Sequence, residues 1–387
     1  MPADVEVRAD ELLKHELAAA IGIRHEMHAH PQLGGEETRT AALIADHLPG
    51  RVDAVAEGLI ASTGGDGPVI GIRAELDALP IQEESARSWR SQRAGVAHVC
   101  GHDVHTAALV AVSRAVARLD LPVGLAAVFQ SREETVPAGA PDFLASEPLR
   151  RLDLRGMIGV HVQPELPAGV VSAVAGAINA AADDFHIRVE GRPAHGAYPH
   201  LSRDPIVAAA AVVQSLQHLV SRRLDPMSAG VVTVGRIVGG DSPNQVPSRV
   251  DMWGTLRSFG GGERTMMHEA IASIAEKVAE AHGCDARADV SSGNPVLDND
   301  AWLTGLVAAA LERDGFRSGP AFRSCGADDF AYYGEKYPAV MIFAGVGETG
   351  GPGLHHPQFA PDDRVVGDVA RIMMTSFLAA ARRVGSR

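Results

Sequence analysis

A thiol, two imidazoles and a carboxylate fall within one short run, Cys100-Gly101-His102-Asp103-Val104-His105. Cysteine sulfur, histidine nitrogen and carboxylate oxygen together suit a divalent transition ion of Zn²⁺ character, and Gly101 lets the backbone bend so that residues two apart converge on one point. The same run would also suit a cysteine hydrolase with Cys100 as nucleophile and His102 or His105 as base. Further donors separate the two readings. Asp77 ends the apolar run that begins at Val69, Glu133 and Glu134 follow the run from Val123 to Phe129, His161 follows the run from Met157 to Val160, and His355-His356 comes shortly after the run from Ala339 to Val346. Each candidate is expected just past a strand, and open α/β sheets bind ligands outside the carboxyl ends of their strands. A cysteine nucleophile would leave Glu133, Glu134, His161 and His355 without a role.

The elements that must position these groups can be read from periodicity. From about Ala9 to Leu48 the pattern is helical, broken at His30-Pro31 and Gly34-Gly35. His25, His28 and His30 lie near that break and precede no strand end, so a structural role is expected for them. A strand ending at Asp77, the Cys100 loop, a helix from Thr106 to Arg118 and strands at 123–129 and 157–160 follow, an alternation that predicts an α/β sandwich. From Asp183 the pattern changes: Phe185, Ile187 and Val189 alternate with polar residues, a helix runs from Asp204-Pro205 to about Arg222, strands cover 229–237 and 249–256, a helix covers 263–282 and a strand 285–290. This β-α-β-β-α-β order is the ferredoxin-like pattern. The expected architecture is therefore a mixed-sheet α/β/α catalytic domain (residues 1–182 and 292–387) with an inserted ferredoxin-like α+β domain (residues 183–291). One face or edge of such an insert is free to pair with a second copy, so a homodimer through it is expected.

A length of 387 residues fits two domains, and 46 % hydrophobic with 21 % charged residues is an ordinary globular composition. The net charge of −13 and the lack of a basic stripe argue against nucleic acid as partner. Three scattered cysteines, Cys100, Cys284 and Cys325, form no disulfide framework. Met1-Pro2-Ala3-Asp4-Val5-Glu6 shows no basic and then apolar leader, and no apolar stretch would span a bilayer. A cytoplasmic enzyme with no membrane partner is the expectation.

Longer motifs carry a resemblance. The stretches 23–31, 73–80 and 98–106, the pair Glu133-Glu134, and His161-Val162-Gln163-Pro164 resemble the amidohydrolase branch of the aminoacylase and carboxypeptidase metallopeptidases, of zinc-exopeptidase type, which includes hippurate and auxin–amino acid conjugate hydrolases. The likeness continues through Gly191 to His200, Asn244-Gln245-Val246-Pro247, Gly254-Thr255-Leu256-Arg257, Gly326-Ala327-Asp328-Asp329-Phe330 and Leu354-His355-His356-Pro357. It implies two divalent ions, Zn²⁺ or Mn²⁺, held by Cys100, His102, Glu134, His161 and His355, with Glu133 as general base and Asp77 as the carboxylate that orients a ligand. It also implies that His195, Asn244 and Arg257 contact the scissile carbonyl and terminal carboxylate of the substrate, the histidine usually acting across a dimer. Ser131-Arg132 stands where the branch usually has Pro-Ala, and Cys325 where it has a small residue or methionine; both positions are expected to bear on substrate choice.

The expected reaction is amide hydrolysis of an N-acyl amino acid. Adjacent residues leaving a strand point in different directions, so Glu134 can bind metal while Glu133 faces the water. Metals lower the pKa of water, and a carboxylate base passes its proton to the leaving amine. Arg257 suits a substrate carboxylate through two parallel hydrogen bonds. A small-peptide hydrolase of the same fold and a non-catalytic binding module are the alternatives.

Overall fold

A computed structural model describes residues 4–63, 67–347 and 350–385, so the first three residues of the N-terminal stretch lie outside the described residues. The chain forms two compact units. Unit 1 comprises Met1–Gly176, Asp298–Phe322 and Asp329–Arg387, and unit 2 comprises Ala177–Leu297 and Arg323–Asp328. No helix among the described residues is long and apolar enough to cross a membrane.

Unit 1 opens with α1 (Asp4–Ala29) and α2 (Thr38–Ala45), the first stopping just before His30-Pro31, because a residue preceding proline is disfavoured in helical geometry. The hairpin β1 (Arg51–Val55) and β2 (Gly58–Ser62) leads to β3 (Pro68–Glu75), α3 (His102–Val116) and β4 (Gly124–Gln130). Short helices α4 (Ala140–Ala145) and α5 (Glu147–Arg150) precede β5 (Asp153–Pro167) and β6 (Val170–Ser172).

Unit 2 is entered through β7 (Gly176–Asn179) and built from β8 (Ala181–Glu190), β9 (Ala194–His195), α6 (Pro205–His218), β10 (Gly230–Val238), β11 (Gln245–Val246), β12 (Arg249–Ser258), α7 (Gly261–Ala281) and β13 (Asp285–Ser292). Its main sheet is antiparallel in the order β10-β12-β8-β13, the ferredoxin-like arrangement. Phe185, Ile187 and Val189 of β8 pack with Val212 and Leu216 of α6 and Met267 and Ile271 of α7 in a core of its own. The unit reaches beyond the expected 183–291. Ser324 N–H donates to Ile178 O at 2.9 Å and Ala180 N–H to Ser324 O at 3.2 Å, so the short stretch around Cys325 joins the strand that enters unit 2.

The chain leaves unit 2 at β14 (Leu297–Asn299) and completes unit 1 with α8 (Ala301–Arg313), β15 (Arg317–Ser318), α9 (Ala331–Gly334), β16 (Ala339–Gly347) and α10 (Arg364–Val384). The large sheet has the order β1-β2-β4-β3-β5-β16-β6-β15, with β4, β3, β5 and β16 mutually parallel. Buried on both faces, β3 is apolar from Pro68 to Ile72, and its two charged residues, Arg73 and Glu75, are buried as well. Ile70, Ile72, Ile158, Val160 and Ile342 share a core with residues of α1, α3, α8 and α10. The opposite face meets Phe143 of α4 at Gly58 and Phe330 at Gly159.

Two expectations are corrected. α3 begins at His102, four residues earlier than expected, so the Cys100 motif is a helix N-terminus entered through Gly101 (φ 94°) and not a free loop. His161 lies within β5 and not past it, because parallel pairing with β16, His161 opposite Phe343, carries the strand on through a polar stretch.

Asp183 ties the start of β8 to the rest of unit 2. It accepts from Arg264 at 2.9 and 2.6 Å and from Gly293 N–H at 2.9 Å, and His268 Nε2 lies 2.6 Å away. Burial works against its charge, but Arg264 and His268 outweigh it and hold the carboxyl below the ordinary aspartate range. A lowered folded-state pKa contributes stability that is present above the unfolded aspartate value, about 3.9, and is lost as pH falls through the folded value. Asp183→Asn is expected to destabilise unit 2 by roughly 1.5–3 kcal/mol at neutral pH, as for hydrogen bonds to charged groups. In urea unfolding the difference from wild type should shrink below about pH 4; a constant difference would assign the loss to packing instead.

Candidate metal centre

The carboxyl ends of the parallel strands bring the sequence-derived donors of unit 1 together. Beyond β3, Asp77 Oδ2 accepts from Glu134 N–H at 2.8 Å, tying the turn after β3 to the turn after β4. His102, in the first turn of α3, has Nδ1 2.9 Å from the Asp77 carbonyl, so Nδ1 carries the proton and Nε2 keeps its lone pair. His161 Nδ1–H donates to Val162 O at 2.8 Å, and its Nε2 lies 3.5 Å from Cys100 Sγ. His355, with a left-handed backbone (φ 62°), is held by its N–H on Val99 O at 2.8 Å, and its half-exposed ring has Nε2 3.0 Å from Glu134 Oε1.

Among the sets of donor atoms that lie within 4.8 Å of one another are those of Cys100, His102 and His161, those of Cys100, Glu134 and His355, and those of His102, Glu133 and Glu134. All the expected ligands and the expected base therefore share one cluster. The residues fit metal ions on two further observations. His102 Nε2 and Asp77 Oδ1 are buried without a hydrogen-bond partner among the described residues, a costly state for atoms of this kind unless something else meets them. The donor set also mixes a thiol, imidazoles and carboxylates, as Zn²⁺-like ions prefer.

Electrostatics agree in part: burial works against a charge on His102, but Cys100, Asp77 and Glu75 outweigh it and raise the pKa, so that a bound cation would displace a proton there. Burial lowers the His161 pKa to about 3, which keeps the ring neutral and able to donate a lone pair. Burial pushes the Cys100 thiol up, making it a poor nucleophile on its own. A bound cation would be needed to draw off its proton. Burial opposes the charge of Glu134 as well, yet His355 and His102 outweigh it and lower its pKa.

Several supporting residues were not evident in the sequence. Glu37 is buried and accepts from Arg132 N–H at 2.7 Å and Gly35 N–H at 2.6 Å, pinning the left-handed Arg132 (φ 62°) directly before Glu133. Burial raises the Glu37 pKa to about 7. Arg132, one of the two unusual positions, turns its guanidinium to Glu57 and Asp142, and Ser131 is fully buried. Both residues therefore take part in the turn that leads to Glu133. Asp103 meets Arg24 Nε at 2.9 Å and His28 Nδ1 at 3.0 Å beneath α3, while His25 meets Asp363 and His30 meets Glu26. The three histidines thus have contacts of the structural kind expected for them, whereas the other supports were forewarned only by charged residues in otherwise apolar runs.

Unit 2 carries the three expected substrate residues. His195 and Asn244 are close, since β9 pairs with β11 and Gly196 N–H donates to Asn244 O at 2.7 Å. His195 Nδ1 accepts from Ala197 N–H at 3.1 Å, which leaves the ring proton on Nε2. Arg257 lies on β12 opposite Ala182 and Val231, half-buried, with no side-chain hydrogen bond or ion pair among the described residues.

Residues 71–375 match the model of peptidase family M20/M25/M40. The chain belongs to that family. A relative from Bacillus subtilis, N-acetyl-L-cysteine deacetylase, is 35 % identical over 355 residues, covering 89 % of this chain and 84 % of the relative. N-acetyldiaminopimelate deacetylase of Bacillus pumilus is 30 % identical over 366 residues, covering 92 % and 96 %. The crystal structure of a B. subtilis protein described as a dinuclear metal binding peptidase from the M20 family superposes with a TM-score of 0.83 at 30 % identity, over 96 % of this chain and 99 % of that one.

Gly101 sets the approach of the Cys100 turn to β5. A Cβ there would lie 2.3 Å from Val162 Cγ2, on a backbone with φ of 94°. Gly101→Ala is expected to lower stability by about 1–3 kcal/mol through overpacking and left-handed strain. Thermal unfolding of the chelated protein measures this, and a midpoint unchanged from wild type would mean that the turn is free to move.

Proposed function

We propose that this chain hydrolyses the amide bond of N-acyl amino acids, with Glu133 as general base, at a site for two divalent ions held by Cys100, His102, Glu134, His161 and His355. The observation that carries the reading is the single cluster of a thiol, imidazoles and carboxylates at the carboxyl ends of the parallel strands. Asp77, Cys100 as thiolate, Glu133 and Glu134 are anionic groups whose summed charge two divalent cations balance. Zn²⁺ and Mn²⁺ both suit the set, the thiolate favouring Zn²⁺. The deacetylase relatives support an acetyl or similarly small acyl group on an amino acid.

Ions bound there would polarise the amide carbonyl and lower the pKa of the attacking water. Glu133, half-buried beside Glu134, accepts the proton of that water as the C–O bond forms. It then delivers the proton to the amine nitrogen as the C–N bond breaks, so the products are a carboxylic acid and a free amino acid. Asp77 holds His102 through its carbonyl and the Glu134 backbone through its carboxylate, so both keep their direction. For the substrate, we assign Arg257 to the α-carboxylate, with its unpaired guanidinium in support, and the His195 Nε2–H, together with Asn244, to the carbonyl oxygen. A cysteine hydrolase is disfavoured by the burial of the Cys100 thiol, which raises its pKa and opposes formation of a free nucleophilic thiolate.

We also propose that two copies pair through unit 2, on the exposed Ile206 and Val207 of α6 and Ile237 and Val238 of the edge strand β10. A cytoplasmic setting is supported by three unpaired cysteines.

Exhaustive chelation, checked by elemental analysis, should abolish hydrolysis of N-acetyl amino acids, and added Zn²⁺ or Mn²⁺ should restore it. Glu133→Gln should retain bound metal and fold yet lose roughly 10²–10⁴-fold in kcat; near-normal turnover would remove Glu133 from the base role. Arg257→Ala should impair N-acyl amino acids far more than the corresponding amides, by the roughly 1.5–3 kcal/mol of a charge-assisted pair. Equal losses on both substrates would make Arg257 structural.

A further inference from the structure

His105 closes the motif that begins at Cys100 and is completely buried, yet the reaction above gives it nothing to do. By proximity alone Glu75, His105 and His161 could form another ion site, since their donor atoms lie within 4.8 Å of one another. The hydrogen bonds decide otherwise. Val162 N–H donates to His105 Nε2 at 3.0 Å, so that nitrogen is an acceptor and the ring proton is on Nδ1. Nδ1–H in turn donates to Glu75 Oε2 at 2.8 Å. No lone pair of His105 is left for a metal.

Both ends of this arrangement are anchored. Glu75 is bound by Arg73, and the same guanidinium meets Asp329 and Gln130, all of them buried. At the other end Val162 O accepts from His161 Nδ1–H at 2.8 Å, leaving His161 Nε2 with its lone pair 3.5 Å from Cys100 Sγ. Val162 therefore joins two imidazoles: its N–H is fixed by one and its carbonyl fixes the other. A ligand ring that rotates, or that carries its proton on Nε2, cannot offer that lone pair.

We propose that His105, anchored by Glu75 and Arg73, is a positioning residue that acts through Val162 to fix the tautomer and direction of His161, and so sets the affinity of one of the two ion sites. This rests on His161 being an ion ligand, as proposed above, and the experiment separates the two claims.

The full-length protein, stripped by chelation, is titrated with Co²⁺ and followed by visible absorption, and each variant's fold is checked by thermal unfolding in chelator. Wild type should show two binding steps, and His161→Ala should lose one. His105→Leu should weaken that same step by about 10–100-fold, the usual effect of removing an outer hydrogen-bond partner, and leave the other within about twofold. His105→Gln retains an N–H for Glu75 and a carbonyl for Val162, so it should restore most of the affinity. Equal weakening of both steps would make His105 a general packing residue. Loss of a whole step in His105→Leu, without rescue by glutamine, would make it a ligand. Either result overturns the proposal. An unchanged titration in His161→Ala would instead overturn His161 as a ligand, and the proposal with it.

Discussion

Glu75, Asp77 and Asp103 are carboxylates buried close together at the carboxyl ends of the central strands, and Glu134 is largely buried beside them. An unpaired charge in such a place costs several kcal/mol, and breaking a buried pair by removing one partner costs about 3–5 kcal/mol. Much of unit 1 near this edge can be understood as a response to that cost. Glu75 is held far below the usual carboxylate range by Arg73 and His105 against the effect of burial, and Asp103 likewise by Arg24 and His28. The His28 pKa is raised to about 9 because Asp103 and Glu83 outweigh its burial. Apart from Arg73 and Glu75, which share β3, these pairs join elements distant in the chain, so neutralising the charge and fixing the geometry are the same act.

That coupling explains why the turns around the cluster accept strain. Arg132 and His355 both adopt left-handed backbones, which cost a non-glycine residue about 1–3 kcal/mol. Each is compensated locally: Arg132 N–H by the Glu37 carboxylate, and His355 N–H by Val99 O. The residues that follow Arg132, Glu133 and Glu134, each bring a carboxylate oxygen within 4.8 Å of the other and of a His102 nitrogen, one for the water and one for the ions in the proposed chemistry.

The donors themselves were legible in the sequence because chemistry restricts them to few residue types. Cys100, His102, Glu133, Glu134, His161 and His355 stand out against apolar runs, and the alternation of Phe185, Ile187 and Val189 marks the start of the second sheet. The supports were not legible in the same way. Glu37, Arg73 and His105 act through partners far along the chain, and nothing in local spacing says that Arg73 will meet Asp329 or that Glu37 will meet the backbone of Arg132. Element ends were displaced for a similar reason. Pairing with β16 extends β5 past His161, and a left-handed glycine lets α3 begin at His102, both effects of tertiary contact that a one-dimensional pattern does not contain.

The parallel pairing of β5 with β16 has a further consequence for the order in which the molecule can be made. During synthesis β5 emerges with Cys100, His102 and His161 already present, but all of unit 2 must follow before β16 can cover its open side. Contacts so far apart in sequence form late, because chain entropy must be paid before they give anything back, and an uncovered strand edge is a template for wrong partners in the meantime. The segment bearing His355 emerges later still. A nascent chain that stalls in unit 2 therefore exposes an unfinished sheet and an incomplete set of the proposed ligands at once, so that release of the C-terminal segment both covers the strand edge and completes the proposed ion site.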